Sequence, residues 1–156
     1  MRLDQDLASF MSSPVMIILG TCNDALQPDI GRAVGALVRP AKGEVELVVS
    51  AWQWPRTVSN VRENGRLSVT FARPSDYVSF QAKGRASVIA ASAEHLARSA
   101  DYINAITAVL KELGLESNVS QSWFVDRDTV ALKMVVESVF VQTPGATAGE
   151  MLQGRQ

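Results

Sequence analysis

The sequence predicts a mainly β domain: about six strands in an antiparallel sheet, closed as a small barrel, with three helices outside it. Three observations lead there. Runs of β-branched and apolar residues recur with strand periodicity and are mostly joined by short loops. Helical periodicity is confined to the start of the chain, one crossover and the stretch after the longest strand. No repeat or interdomain linker interrupts the 156 residues, which suit a single domain with a real core.

Composition narrows the function. Fifteen Lys and Arg against sixteen Asp and Glu leave a net charge of −1, too little positive field to hold nucleic acid by its phosphates. Cys22 is the single cysteine and His95 the single histidine, which excludes an intrachain disulfide, a cysteine metal cluster and a multi-histidine metal site. The opening MRLDQDLASFMSS has two aspartates in its first six residues and no signal-peptide core. The longest apolar run, Val15 to Leu19, is far too short to span a bilayer. A cytoplasmic protein is the expectation.

In chain order, Leu3 to Met11 is helix-like within residues 1–13, with Leu3, Leu7, Phe10 and Met11 on one face, and Pro14 stops it. Val15 to Leu19 lacks alternation and is expected as a central strand covered on both faces. Gly20 to Gln27 reads as a hairpin loop. Asp29 to Arg39 follows as one strand: Ile30, Arg32, Val34, Ala36 and Val38 share a face, with Gly31, Ala33 and Gly35 on the other. The small residues admit another backbone or a flat ligand. Arg32, a charge among apolar neighbours, needs a partner, either a carboxylate of the protein or a bound anion.

The stretch Val48 to Phe71 organises the rest. Glu44 to Ser50 is a strand, and Trp54-Pro55 opens a brief helix with Val58 and Val61 on one face. Asn64-Gly65 stops it, and Arg66 to Phe71 alternates as a half-buried strand does. With Pro55 first in the helix, the N-cap is Trp54, which has no side-chain oxygen for the free backbone N–H groups. Water can cap such a start; so can an anion, and Arg56 and Thr57 in the first turn would suit a phosphate.

A long strand then runs from Tyr77 to about Ala91. Tyr77, Ser79, Gln81, Lys83 and Arg85 form its polar face, which is either solvated or, through Gln81 and Lys83, reads the edge of a heterocycle. Ser92 caps a helix whose apolar positions run from Leu96 to Leu113, with room for a break near Asp101 and a stop at Gly114. His95, in its first turn, reads as a surface histidine. Glu116 to Asp128 is polar and loop-like apart from Trp123 and Phe124, and Val130 to Val141 is the last strand. Residues 144–156 form either a flexible tail or an arm that orders against a partner.

The runs PDIGRAVGALVRP, ELVVSAWQWPRTVSNVRENGRLSVTF and DYVSFQAKGRASV resemble the pyridoxamine 5′-phosphate oxidase-like family of FMN-binding split barrels, over Pro14 to Val88 plus the final strand. The resemblance implies a six-stranded antiparallel split β-barrel with flanking helices, and a homodimer whose two FMN molecules sit in clefts between the subunits. It implies that Arg32, with Val34 two residues on along the same face, meets the flavin phosphate, and that Arg56 and Thr57 form the phosphate-binding helix start. Ser50 and Ala51 would pass along the isoalloxazine ring, with Trp52 beside them, and Gln81 and Lys83 would supply further flavin contacts. Leu37 stands where the pyridoxamine phosphate oxidases proper carry a lysine, so vitamin B6 need not be the substrate. The expected activity is that of a small FMN-dependent oxidoreductase acting on an unknown small molecule, with no catalytic residue singled out. The alternatives are a non-catalytic flavin carrier or sensor, and a haem-binding relative in which His95 would be the axial ligand.

Overall fold

In the computed structural model, which describes residues 2–152, Asp4 caps α1 (Gln5–Ser12) by accepting from the Leu7 amide at 2.7 Å. Three strands follow: β1 (Met16–Cys22), β2 (Pro28–Arg32) and β3 (Ala36–Arg39). A 3-10 turn at Pro40–Lys42 leads into β4 (Glu44–Ser50). After α2 (Pro55–Asn64) come β5 (Arg66–Ala72), β6 (Ser79–Ala90) and α3 (Ala93–Glu112). The short α4 (Ser117–Ser120) and a 3-10 turn at Gln121–Trp123 precede β7 (Thr129–Val141) and β8 (Met151–Leu152). None of these helices is long and apolar enough to cross a membrane.

Every strand pairing is antiparallel, in the order β2-β1-β5-β6-β7-β4-β3, with β8 added on β7. β2 and β3 are pieces of one extended run, so the two ends of that order meet and the sheet closes into a barrel. The junction is where the single strand expected over Asp29 to Arg39 divides. The Ala33 amide donates to Ile17 O at 3.1 Å, while the Val34 amide donates to Val48 O at 2.8 Å. Two neighbouring residues thus turn to opposite partners, and the chain passes from β1 to β4. This division and the two-residue β8 account for eight strands where six were expected.

The core fills the barrel with the inward residues of each strand: Ile17 and Leu19 of β1, Val45, Leu47 and Val49 of β4, Val69 and Phe71 of β5, and Leu132, Met134 and Val136 of β7. Each such side chain contributes about 1.5–3 kcal/mol by leaving water. β1 is central in the pairing order, but only its inner face is fully covered; Met16 and Ile18 on its outer face are half-buried. α2 packs on the inner side through Val58 and Val61, and ends at Gly65 in the left-handed conformation (φ 69°). α3 runs unbroken past Asp101, which is exposed and strains nothing. The last stretch turns back to pair β8 with β7, so this part of the tail is ordered against its own chain; residues 153–156 lie outside the described residues.

Candidate functional site

The start of α2 is as bare as its sequence implies. Trp54 is the N-cap (φ −121°, ψ 55°), Pro55 follows, and no side chain caps the helix. β2 passes directly over it. A Cβ on Gly31 would lie 2.5 Å from Thr57 Oγ1 and 3.4 Å from the Trp54 ring, so only glycine lets strand and helix start approach this closely. Thr57 is fully buried, and its hydroxyl donates to Asp29 Oδ2 at 3.2 Å. Arg56 is exposed and lines an open polar groove of about 500 Å³ with Asn23, Asp29 and Glu63. It forms no ion pair among the described residues.

Arg32 follows Gly31 and therefore leaves β2 on the opposite face, the outer face of the sheet. The strand register places Arg32, Ile18, Thr70, Gln81 and Phe140 on one line across five strands, all pointing outward. The next line carries Ile30, Gly20, Ser68, Lys83 and Ser138. Gln81 Nε2 donates to Thr70 Oγ1 at 3.1 Å, and Lys83 Nζ lies 4.8 Å from the centre of the Phe140 ring. The Arg32 guanidinium stacks 5.0 Å above the Trp123 ring, and its Nη1 is buried with no hydrogen-bond partner among the described residues. Behind it stands Tyr102, whose hydroxyl donates to Val15 O at 2.7 Å. Burial pushes that hydroxyl well above the usual tyrosine range, against the opposing pull of Arg32 and Arg98.

Ser50 and Ala51 are occupied in joining two loops. Ser50 Oγ donates to Arg127 O at 2.6 Å and accepts from the Gln53 amide at 3.2 Å. The Ala51 amide donates to Asp128 O at 2.9 Å, and Gln53 Nε2 to Ser122 O at 2.7 Å. These bonds hold the segment after β4 against the segment before β7, so Trp54 and Trp123 stand on two fastened loops. Between them Trp52 is 53 % exposed, with the Arg127 guanidinium 4.7 Å above its ring.

A family model for pyridoxamine 5′-phosphate oxidase matches residues 3–143, nearly the whole chain. The chain belongs to the pyridoxamine 5′-phosphate oxidase family. Solved structures agree on the fold. HupZ from Group A Streptococcus is 17 % identical with a TM-score of 0.58, covering 94 % of this chain and 99 % of its own. An F420 reductase is 10 % identical with a TM-score of 0.59, covering 88 % and 98 %. The haem storage protein HutZ from Vibrio cholerae is 15 % identical with a TM-score of 0.53, covering 90 % and 95 %. At these identities the likeness concerns the fold alone. No curated protein sequence matches the chain significantly.

Within this family member, the candidate residues fall into separate groups. Arg32, Gln81 and Lys83 share the outer sheet face, while Thr57 belongs to the α2 side of β2. Val34 is buried in the core at the strand division, and Ser50 is buried at the loop junction. His95 corrects the expectation of a surface histidine. It is 4 % exposed, accepts the Ser92 amide on Nδ1 at 2.9 Å and meets Glu46 Oε2 through Nε2 at 2.9 Å. The Nδ1 contact places the neutral ring's proton on Nε2, which donates to the carboxylate. The sequence reason for the miss is register: Glu46 on β4 lies under the first turn of α3, a contact 49 residues away. Trp123 and Arg127 also join the site, although in the sequence the signal for them is only an aromatic in a polar loop.

Proposed function

We propose that the chain is an FMN-binding homodimer of the pyridoxamine 5′-phosphate oxidase family and acts as a small flavin-dependent oxidoreductase. The observation that carries this reading is Arg32: a guanidinium nitrogen buried without a partner calls for an acceptor, and phosphate oxygens are the acceptors its fork fits. The donor set around it suits a flavin nucleotide. Trp123 fixes the guanidinium plane, and Gln81 and Lys83 present hydrogen-bonding groups along the same outer face. Asp29 opposes the fit at one point, since its carboxylate already takes the Thr57 hydroxyl and repels a phosphate placed there. The phosphate would therefore rest on Arg32, on the face of β2 away from Asp29 and Thr57.

Bound FMN would supply the electron transfer; the protein would anchor it, orient its ring and shield it from water. Val34, Ser50 and Ala51 would contribute shape, and exposed Trp52 would wall the ring. The half-buried outer face, with Met16, Ile18 and Phe140, supports a second copy covering it, which would set the flavin in a cleft between subunits. His95 is a poor axial ligand for haem, because both its nitrogens are engaged inside the protein.

The test is an FMN titration of the purified protein followed by visible absorbance and fluorescence quenching. Wild-type protein should take up FMN with a two-band flavin spectrum, and Arg32→Gln should weaken binding roughly 10- to 100-fold. Arg56→Ala, removing a solvent-side cation, should weaken it less. A wild-type protein that takes up no FMN overturns the function, and an Arg32→Gln variant with unchanged affinity overturns the site.

A further inference from the structure

One line beyond Ile30 and Lys83, the outer face changes character. Arg66 of β5 stands directly opposite Arg85 of β6, and Lys83 occupies the next outward position of β6. Two like charges facing each other across a ladder cost stability unless a counter-charge joins them. None is supplied: Arg66, Lys83 and Arg85 form no ion pair among the described residues. Arg85 is held in place by donating from Nη1 to Asn64 O at 2.9 Å, and Lys83 lies over Phe140. Together they border an open groove of about 570 Å³ floored by Gly20 and Ser68. Two carboxylates also reach this groove. Asp29 takes the Thr57 hydroxyl, and Glu137, the β7 residue skipped by the register shift opposite Lys83 and Gly84, pairs with none of the three cations.

We propose that Arg66, Lys83 and Arg85 form a second anion site, which seats a phosphate- or carboxylate-bearing substrate alongside the cofactor. The site lies four residues along β5 from the Arg32 line, about 13 Å away. Arg32 itself stands on β2, two strands beyond β5, so the anionic end of a second small molecule lies farther than this from a phosphate held at Arg32, on the same outer face. The proposal deepens the flavoprotein reading by naming the substrate class, and rests on it only for the substrate role; anion binding itself needs no flavin.

Isothermal titration and thermal melting of the purified protein with inorganic pyrophosphate, and separately with citrate, test it. One of the two anions should bind and raise the melting temperature, and its identity assigns the phosphate or the carboxylate class. Arg66→Gln and Arg85→Gln should each weaken that anion at least about tenfold, whereas Lys111→Gln, at the far end of α3, should not. Arg66→Gln should leave FMN affinity intact and, without anion at low salt, should melt higher than wild type because the opposed charge is gone. Arg66→Lys, keeping charge but losing the fork, should fall between. No binding of either anion, binding that survives both arginine substitutions, or an equal loss in Lys111→Gln overturns the site. Loss of FMN binding alone, with pyrophosphate or citrate binding retained, overturns only the flavin reading.

Discussion

Removing the His95 imidazole breaks two contacts at once: the amide of Ser92 loses its acceptor, and Glu46 keeps a 13 % exposed carboxylate without its nearest donor. Arg39 is left as the other cation near Glu46, at 3.7 Å, and is committed at 2.8 Å to Glu94, whose carboxyl it holds below the usual range. His95→Ala should therefore cost about 1–3 kcal/mol in equilibrium denaturation, and a variant as stable as wild type would show that the cap and the hydrogen bond to Glu46 contribute nothing. His95→Gln should recover part of the loss by reaching Glu46. At this scale the sequence was legible where chemistry is local. Trp54, Pro55 and Gly65 announce the ends of α2 by backbone rules that need no partner. Arg32 announced its need for a counter-charge, and no carboxylate among the described residues meets it. His95, Ser50 and Val34 were opaque because their surroundings are assembled by residues from distant strands and loops.

The flank formed by α3 rests on Tyr102. Its hydroxyl is buried and bonded to Val15 O, so the folded protein strongly prefers the neutral phenol. An unfolded tyrosine ionises near 10; the raised folded value makes the stabilisation complete below that pH and lost as pH rises from there toward the folded value. Wild-type melting temperature should fall more steeply above about pH 10 than that of Tyr102→Phe. At neutral pH the Phe variant should be the weaker by about 1 kcal/mol, so the two curves converge with rising pH; parallel curves would exclude the buried phenol as the cause. Element existence was legible from periodicity throughout, and element division was not. Residues 29–39 alternate without a flaw, yet the ladder breaks at Ala33 and Val34 because two different neighbours claim successive amides. That choice is made by the barrel, not by the strand.

For the whole molecule, a closed antiparallel barrel with flanking helices followed from strand count and loop lengths, and the family from the order of its elements. The faces were harder. Alternation says which residues travel together, while only closure says which side is in. Ile30, 68 % exposed beside the half-buried Met16 and Ile18, marks the outer face that a second copy would cover. Ile30→Glu should shift the protein toward monomer in analytical ultracentrifugation and weaken FMN binding with it; a variant that stays dimeric would move the subunit interface elsewhere. The order of strands also governs how the chain is made. Among the described residues β7 is the last long strand to leave the ribosome, yet it lies between β6 and β4, pairing Glu44 to Ser50 with residues about eighty to ninety positions later. Until it arrives, β4 and β6 each present an open edge, the kind of surface on which nascent chains stick to one another. A premature stop before Thr129 would leave not a slightly shortened barrel but two unsealed edges, and protein quality control, rather than loss of a cofactor contact, would decide its fate.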